Sequence, residues 1–156
     1  MRILMVCLGN ICRSPIAEGV LRYMAQQQGL DWTIHSAGTN GYHTGEAPHR
    51  HSQAVCKTHG IDISAQRARR FAASDIDKYD LIYAMATDVM DDIRHQSGRK
   101  MDASKVKLFL DESDPGKGAS VPDPWYGNED GYLPVYQLIE KTCAAIIEKY
   151  GKQDKL

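Results

Sequence analysis

The stretch Cys7-Leu8-Gly9-Asn10-Ile11-Cys12-Arg13-Ser14-Pro15 decides how the rest of this chain is read. Residues 3–8 just before and into it are an unbroken apolar run, the signature of a buried strand. After it, Ile16, Val20, Leu21 and Met24 recur at helical spacing, which predicts a helix over residues 14–28. Ser14 then reads as its N-cap, Pro15 as its first residue and Glu18 as an acid in its first turn, with Gly29 closing it. The segment is therefore a strand, a tight turn and a helix start.

A helix N-terminus carries unpaired N–H groups and the positive end of the helix dipole, which together attract an anion. Here the turn begins with a cysteine and ends with an arginine five residues further on. Five intervening residues let successive amides curl around one concavity, a nest for a tetrahedral oxyanion. Arg13 can close that ring with a planar two-pronged fork. Cys7 would lie beneath the bound phosphorus, and the same positive field favours its thiolate. A thiolate under a phosphate is a nucleophile for phosphoryl transfer.

Composition sets the outer bounds. The chain has 156 residues, 42% of them apolar, and a net charge of −1, which predicts one domain with an ordinary core. Near-neutral charge argues against nucleic acid and against a polybasic membrane role. No apolar run approaches a membrane span and no signal peptide is legible. Four cysteines do not suggest a disulfide framework, so a reducing cytoplasm is the expected compartment. The six histidines show no metal-ligand spacing, and no metal or other cofactor is expected. His49, His51 and His59 read as a polar helix face, and Arg67, Arg69 and Arg70 as a solvated basic cluster. No exposed apolar stripe stands out, so a monomer is expected.

Further strands are predicted over residues 32–37, 80–84 and 106–110. Helices are predicted over 47–59, 87–96 (capped by Thr87 or Asp88) and 131–150, with Ser64 a cap for a short extra helix. Alternating strands and helices imply parallel strands joined by right-handed crossovers. The expected fold is a single-domain α/β open twisted sheet of four parallel strands with helices on both faces. Ligands bind at the carboxyl ends of such strands, which is where the Cys7 turn emerges. Residues 111–131 form a long loop rich in Pro, Gly and Asp, a length that points to function. It holds two Asp-Pro steps, at Asp114 and Asp123, either of which could supply a general acid. Asp114 sits in a plain turn sequence, whereas Asp123 leads into Trp125 and Tyr126, whose rings could flank an aryl ester. Tyr42, in the loop over residues 38–45, is a third such aromatic. Leu8 and Ile11 would form an apolar rim. Asn10 suits left-handed dihedrals in the turn. Cys56 and Cys143 read as core thiols.

The opening stretch, with Ser36-Ala37-Gly38-Thr39, the Gly60-Ile61 step, Asp123-Pro124-Trp125-Tyr126-Gly127 and the chain length, resembles the low-molecular-weight protein tyrosine phosphatases. The resemblance spans essentially the whole chain. It implies the Rossmann-like sheet of phosphotyrosine phosphatase I type and metal-independent hydrolysis of phosphotyrosine in proteins, releasing inorganic phosphate. It implies Cys7 as nucleophile, Arg13 on the phosphate and Asp123 as general acid and base. Gly9 and the other turn residues would cradle the phosphate, Ser14 would donate to the Cys7 thiolate, and Asn10 would pair with Ser36. Tyr42, Trp125 and Tyr126 would line the pocket. Cys12 matches a vicinal cysteine that can trap oxidised Cys7 as a disulfide.

Two positions depart from the family pattern. Gln66 stands where many members have histidine, and is expected to replace its contact in the network around Asn10. Met85-Ala86 stands where many have Met-Asp. Two enzymatic alternatives share the fold: a phosphoarginine phosphatase, disfavoured by the apolar Ile11, and an arsenate reductase, disfavoured by the absence of cysteine in residues 87–98. A phosphate-binding module would need neither the thiol nor Asp123. A P-loop nucleotide enzyme is excluded by the missing Gly-x4-Gly-Lys-Ser/Thr.

Overall fold

In a computed structural model that describes residues 1–124 and 129–154, four parallel strands form one sheet in the order β2-β1-β3-β4. The strands are β1 (Arg2–Cys7), β2 (Thr33–Gly38), β3 (Leu81–Ala84) and β4 (Val106–Leu108). Helices α1 (Arg13–Gln27), α2 (Arg50–Thr58), α3 (Asp75–Lys78), α4 (Thr87–Ser97) and α5 (Tyr132–Asp154) surround it.

The two central strands carry almost no polar side chains because both their faces are covered. Ile3, Met5, Cys7 and Tyr83 point to one face, where α1 and α5 pack with Ile16, Val20, Leu21, Ile139, Cys143 and Ile146. Leu4, Val6, Ile82 and Ala84 point to the other, against Ile76 of α3 and Val89 and Ile93 of α4. Cys56 and Cys143 are fully buried, as expected of core thiols. The chain leaves β1 for β2 on one side, then crosses back to β3 on the other. β1 is thus the strand at which the winding reverses, and its carboxyl end opens the crevice where such sheets bind ligands.

Several element boundaries move. β1 ends at Cys7, one residue before its apolar run does; Cys7 still pairs with Gly38, and its carbonyl accepts from Thr39 N–H at 3.0 Å. α1 begins at Arg13, its N-cap is Cys12, and no side chain caps it, so Ser14 is not the cap. Glu18 lies beyond the first turn and bonds elsewhere. β4 stops at Leu108 and continues as a 3-10 turn over Phe109–Glu112. α4 is capped by neither Thr87 nor Asp88: Ala86 takes the position, and Thr87 N–H is satisfied by Ser120 Oγ at 2.9 Å. Ser64 starts no helix, its N–H being held by Asp62 Oδ1 in a turn, while the short α3 had no legible signal. The histidines are not merely a polar face. His49 stacks on Tyr132 with centroids 5.7 Å apart, and His59 on Tyr136 at 4.0 Å.

Gly19 gives the packing a direct test. Glycine inside a helix ordinarily costs about 0.5–1 kcal/mol relative to alanine, so Gly19→Ala reads as stabilising from sequence. A Cβ there would lie 2.4 Å from Ile63 Cγ2 and 3.3 Å from Ile61 Cγ2, both buried. Overpacking of that kind costs about 1–3 kcal/mol. We expect Gly19→Ala to lower the urea midpoint with an unchanged slope; a raised midpoint would show that α1 is not tightly seated.

Candidate active site

The Cys7 turn is held from outside by its carbonyls. Leu8 C=O accepts from Asn40 N–H, Ile11 C=O from His49 N–H at 2.8 Å, and Cys12 C=O from Ser52 Oγ. Each peptide plane whose carbonyl faces outward turns the next N–H inward. The amides of Gly9, Cys12 and Arg13 therefore face the concavity, and Asn10 N–H points at Cys7 Sγ at 3.3 Å. Gly38 lets β2 end directly beneath this turn. A Cβ there would be 2.9 Å from Leu8 O and 3.0 Å from Gly9 C, both backbone atoms that cannot swing away.

Asn10 has φ of 60°, the left-handed geometry its type predicts, and is the one non-glycine residue there among the described residues. Its side-chain oxygen accepts from Arg69 N–H at 3.0 Å, and its amide donates to Ser14 Oγ at 2.8 Å. Ser14 Oγ lies 3.0 Å from Cys7 Sγ. That hydroxyl accepts from Asn10 and lies within hydrogen-bond distance of the sulfur. Ser14 thus contacts the Cys7 sulfur and is not a helix cap.

Arg13 is 5% exposed and donates to Val121 C=O at 3.1 Å. Val121 N–H in turn bonds to Met85 C=O just beyond β3. That hook draws the long loop over the sheet end and brings Asp123 Oδ2 to 3.7 Å from Arg13 Nη2. Asp114 is instead an exposed turn residue paired with Lys117. Cys7, Leu8, Gly9, Ile11, Cys12, Arg13 and Asp123 share one cavity of about 240 Å³ with Asn40, Tyr42 and His43. Cys7 is 2% exposed at its floor, and Tyr42 is 85% exposed at its mouth. Ile11 is mostly buried, so Leu8 forms more of the rim. Trp125 and Tyr126 lie outside the described residues. Asn40 and His43 escaped the sequence reading: both fall in the polar loop over residues 38–45, but nothing in its pattern separates them from their neighbours. His43 packs against the turn, where a Cβ on Gly9 would meet its ring at 3.1 Å.

Two expected supports are corrected. Ser36 does not pair with Asn10; its hydroxyl donates to Glu18 Oε1 at 2.6 Å, because the side chain faces α1 and Asn10 is already engaged by Arg69. Gln66 does not join the Asn10 network; its amide donates to Pro15 C=O at 3.1 Å. Arg69, expected on a solvated face, bonds both carboxylate oxygens of Asp75. Burial raises the Glu18 carboxyl, opposed by Ser36 and Arg22. The Cys12 thiol is pushed up to about 11, chiefly by burial, against a lowering contact with Tyr132 Oη at 3.6 Å. Among the described residues no three His, Cys, Asp or Glu side chains converge as metal ligands.

Two outcomes test this geometry. Asn10→Gly loses both amide bonds but keeps the left-handed backbone, while Asn10→Ala also strains it by about 1–2 kcal/mol. In urea unfolding the alanine variant should be the weaker by roughly that amount; equal midpoints would remove the left-handed constraint from the account. Iodoacetamide at neutral pH should add one label, on Cys7, which opens onto the cavity among inward amides, since burial pushes the Cys12 and Cys56 thiols up to about 11 and 12 and raises that of Cys143. Equal labelling of Cys12 in an intact-mass time course would contradict that burial.

Residues 2–156 match the family described as low molecular weight phosphotyrosine protein phosphatase. The low molecular weight protein-tyrosine-phosphatase YfkJ of Bacillus subtilis is 38% identical over 157 residues, covering 99% of this chain and 98% of its own. The crystal structure of YfkJ superposes with a TM-score of 0.90 at 36% identity, over 98% of this chain and 96% of that one. The human low molecular weight phosphotyrosine protein phosphatase is 39% identical over 150 residues, 94% of each chain. A Drosophila arginine phosphatase structure gives a TM-score of 0.88 at 27% identity, over 96% of this chain and 98% of that one. With the family matched along nearly its whole length, this chain belongs to the low-molecular-weight phosphotyrosine protein phosphatases, a family of hydrolases.

Proposed function

We propose that this chain hydrolyses phosphotyrosine in proteins through a cysteinyl-phosphate intermediate, without a metal. The observation that carries the reading is that Asp123, remote in sequence, lines one cavity with Cys7 and Arg13 of the turn. Cys7 Sγ attacks phosphorus as the thiolate, with Ser14 Oγ donating to it. The inward amides of the turn and the Arg13 fork take up the charge that spreads over the phosphoryl oxygens. The bond from phosphorus to the tyrosyl oxygen breaks, and Asp123 gives that oxygen its proton. Asp123, now a carboxylate, then removes a proton from water that attacks the cysteinyl phosphate. Inorganic phosphate leaves and the thiolate is restored.

The depth of the floor supports an aryl substrate. Cys7 is nearly inaccessible, so a phosphate on a short serine stem would not reach it, whereas a tyrosyl ring spans the walls formed by Leu8 and Tyr42. The likeness to the Drosophila arginine phosphatase favours a second reading, phosphoarginine hydrolysis by the same groups. The apolar Ile11 weighs against it, because a guanidinium gains little from that wall. The rest of the reading takes residues 1–156 as one catalytic domain, working as a monomer in a reducing cytoplasm. No described helix is long and apolar enough to cross a membrane.

Phosphate release from phosphotyrosine, phosphoserine and phosphoarginine peptides, with reductant and chelator present, tests the proposal. Phosphotyrosine should turn over fastest and be indifferent to chelator. Cys7→Ser should lose activity by about 10⁴-fold or more, and Asp123→Asn should lose about 10²–10⁴-fold in kcat. Faster release from phosphoarginine would replace the substrate and keep the mechanism. Undiminished turnover by Cys7→Ser would end the mechanism.

A further inference from the structure

A second cavity, of about 570 Å³ against about 240 Å³ over Cys7, opens along the outer side of β2. β2 is an edge strand, and on its outer side it makes a single bridge, Gly38 to Arg70, among the described residues. Beyond the bridge the incoming segment peels away: Ala68 exchanges backbone bonds with Gly45 and Glu46 instead of following β2. The gap so left is the cavity.

Its floor has backbone groups without partners. In β2 the inward bonds to β1 fall on alternate residues, since Thr33 N–H bonds to Met1 C=O and Thr39 N–H to Cys7 C=O. Ile34, Ser36 and Gly38 therefore face outward. Gly38 is taken up by Arg69 and Phe71, and Ile34 C=O by Arg22. The N–H and C=O of Ser36 face the cavity, and none of the described residues outside the sheet bonds to them. Such edge groups are open to an added strand.

The walls are cationic. Arg2, Arg67, Arg69 and Lys78 line the cavity against two carboxylates, Glu18 and Asp75. Both carboxylates are already engaged. Asp75 holds Arg69 with both oxygens and accepts from Ala72 N–H. Glu18 accepts from Ser36 Oγ and pairs with Arg22 at 2.9 Å. Arg67 Nη1 donates to the carbonyls of Ser64 and Gln66, which leaves other donors of its guanidinium for a ligand. Neither Arg67 nor Lys78 has a carboxylate partner among the described residues, and both are exposed. A positive wall on a chain of net charge −1 is a local feature.

We propose that this cavity docks a short, extended, acidic segment of a protein partner. The segment adds to the outer edge of β2 through the N–H and C=O of Ser36, and its carboxylates meet Arg67, Lys78 and Arg2. An extended peptide fits both features at once, whereas a free anion would leave Ser36 C=O unsatisfied. Arg69, which walls the cavity, bonds through its N–H to Asn10, Asn10 to Ser14, and Ser14 to Cys7. Arg69, in the wall beside the docked segment, thus lies three hydrogen bonds from the sulfur. That the partner is the phosphoprotein substrate rests on the phosphatase reading; the docking itself does not.

The test is a titration of ¹⁵N-labelled protein in saturating inorganic phosphate, which occupies the Cys7 turn. The probes are an N-acetylated, C-amidated hexaglutamate peptide, the matching hexaglutamine peptide and hexathymidylate. Hexaglutamate should give saturable shifts at Ser36, Arg67 and Lys78 that weaken as salt rises. The double variant Arg67→Glu, Lys78→Glu should bind about tenfold or more weakly, with unchanged hydrolysis of p-nitrophenyl phosphate as its check on folding. Equal binding of hexaglutamine, unaltered binding by the double variant, shifts elsewhere, or no binding would each overturn the proposal. Tighter binding of hexathymidylate would overturn it in favour of a nucleic acid. Because the readout is binding, a failure here is distinct from a failure of the phosphatase reading.

Discussion

The side-chain amide of Asn10 joins three pieces of the molecule that are otherwise independent. Its oxygen fixes the backbone at Arg69, its nitrogen fixes Ser14, and its φ of 60° sets the curl of the turn. Without that curl the carbonyls of Leu8, Ile11 and Cys12 could not all reach donors outside the turn, and the amides between them would not converge. A nest of inward amides is a strained arrangement of like dipoles. It persists because each outward carbonyl is paired and because Gly38 offers no side chain to lift the turn off β2.

The chemistry of the site depends on a second tether of the same kind. Met85 C=O holds Val121, Val121 C=O holds Arg13, and Asp123 follows two residues later. One backbone hook therefore orients the Arg13 guanidinium and brings Asp123 to it. Ala86 is buried at 4% exposure beside this hook. The tether runs through the carbonyl of its neighbour Met85 and needs no carboxylate there.

Much of this was legible in the residues. The apolar runs of β1 and β3 marked both-face burial, and the stripe from Tyr132 to Tyr150 marked α5. The strand-to-helix turn placed Cys7 and Arg13 at the carboxyl end of β1, and the left-handed Asn10 followed from residue type. The errors share one cause. Ser14 looked like a cap, Glu18 like a first-turn acid, and Arg69 like a solvated cation, because local rules assign polar side chains to their own backbone or to water. Each is instead engaged by a side chain outside its own turn or element: Ser14 by Cys7, Glu18 by Ser36, Arg69 by Asp75.

By itself the sequence determined the four strands and the four longer helices, that the strands run parallel, and that a thiol and a guanidinium share one turn. Those properties follow from hydrophobic period and from spacing within one short stretch, which neighbouring residues settle among themselves. Only the tertiary structure decided that Asn40 and His43 join the pocket, that Ser36 serves Glu18, and that the outer edge of β2 stays open beside a cationic wall. Those outcomes depend on where loops cross the sheet ends. A loop's course is set by a few backbone hydrogen bonds to distant strands, and no periodicity in the loop records them.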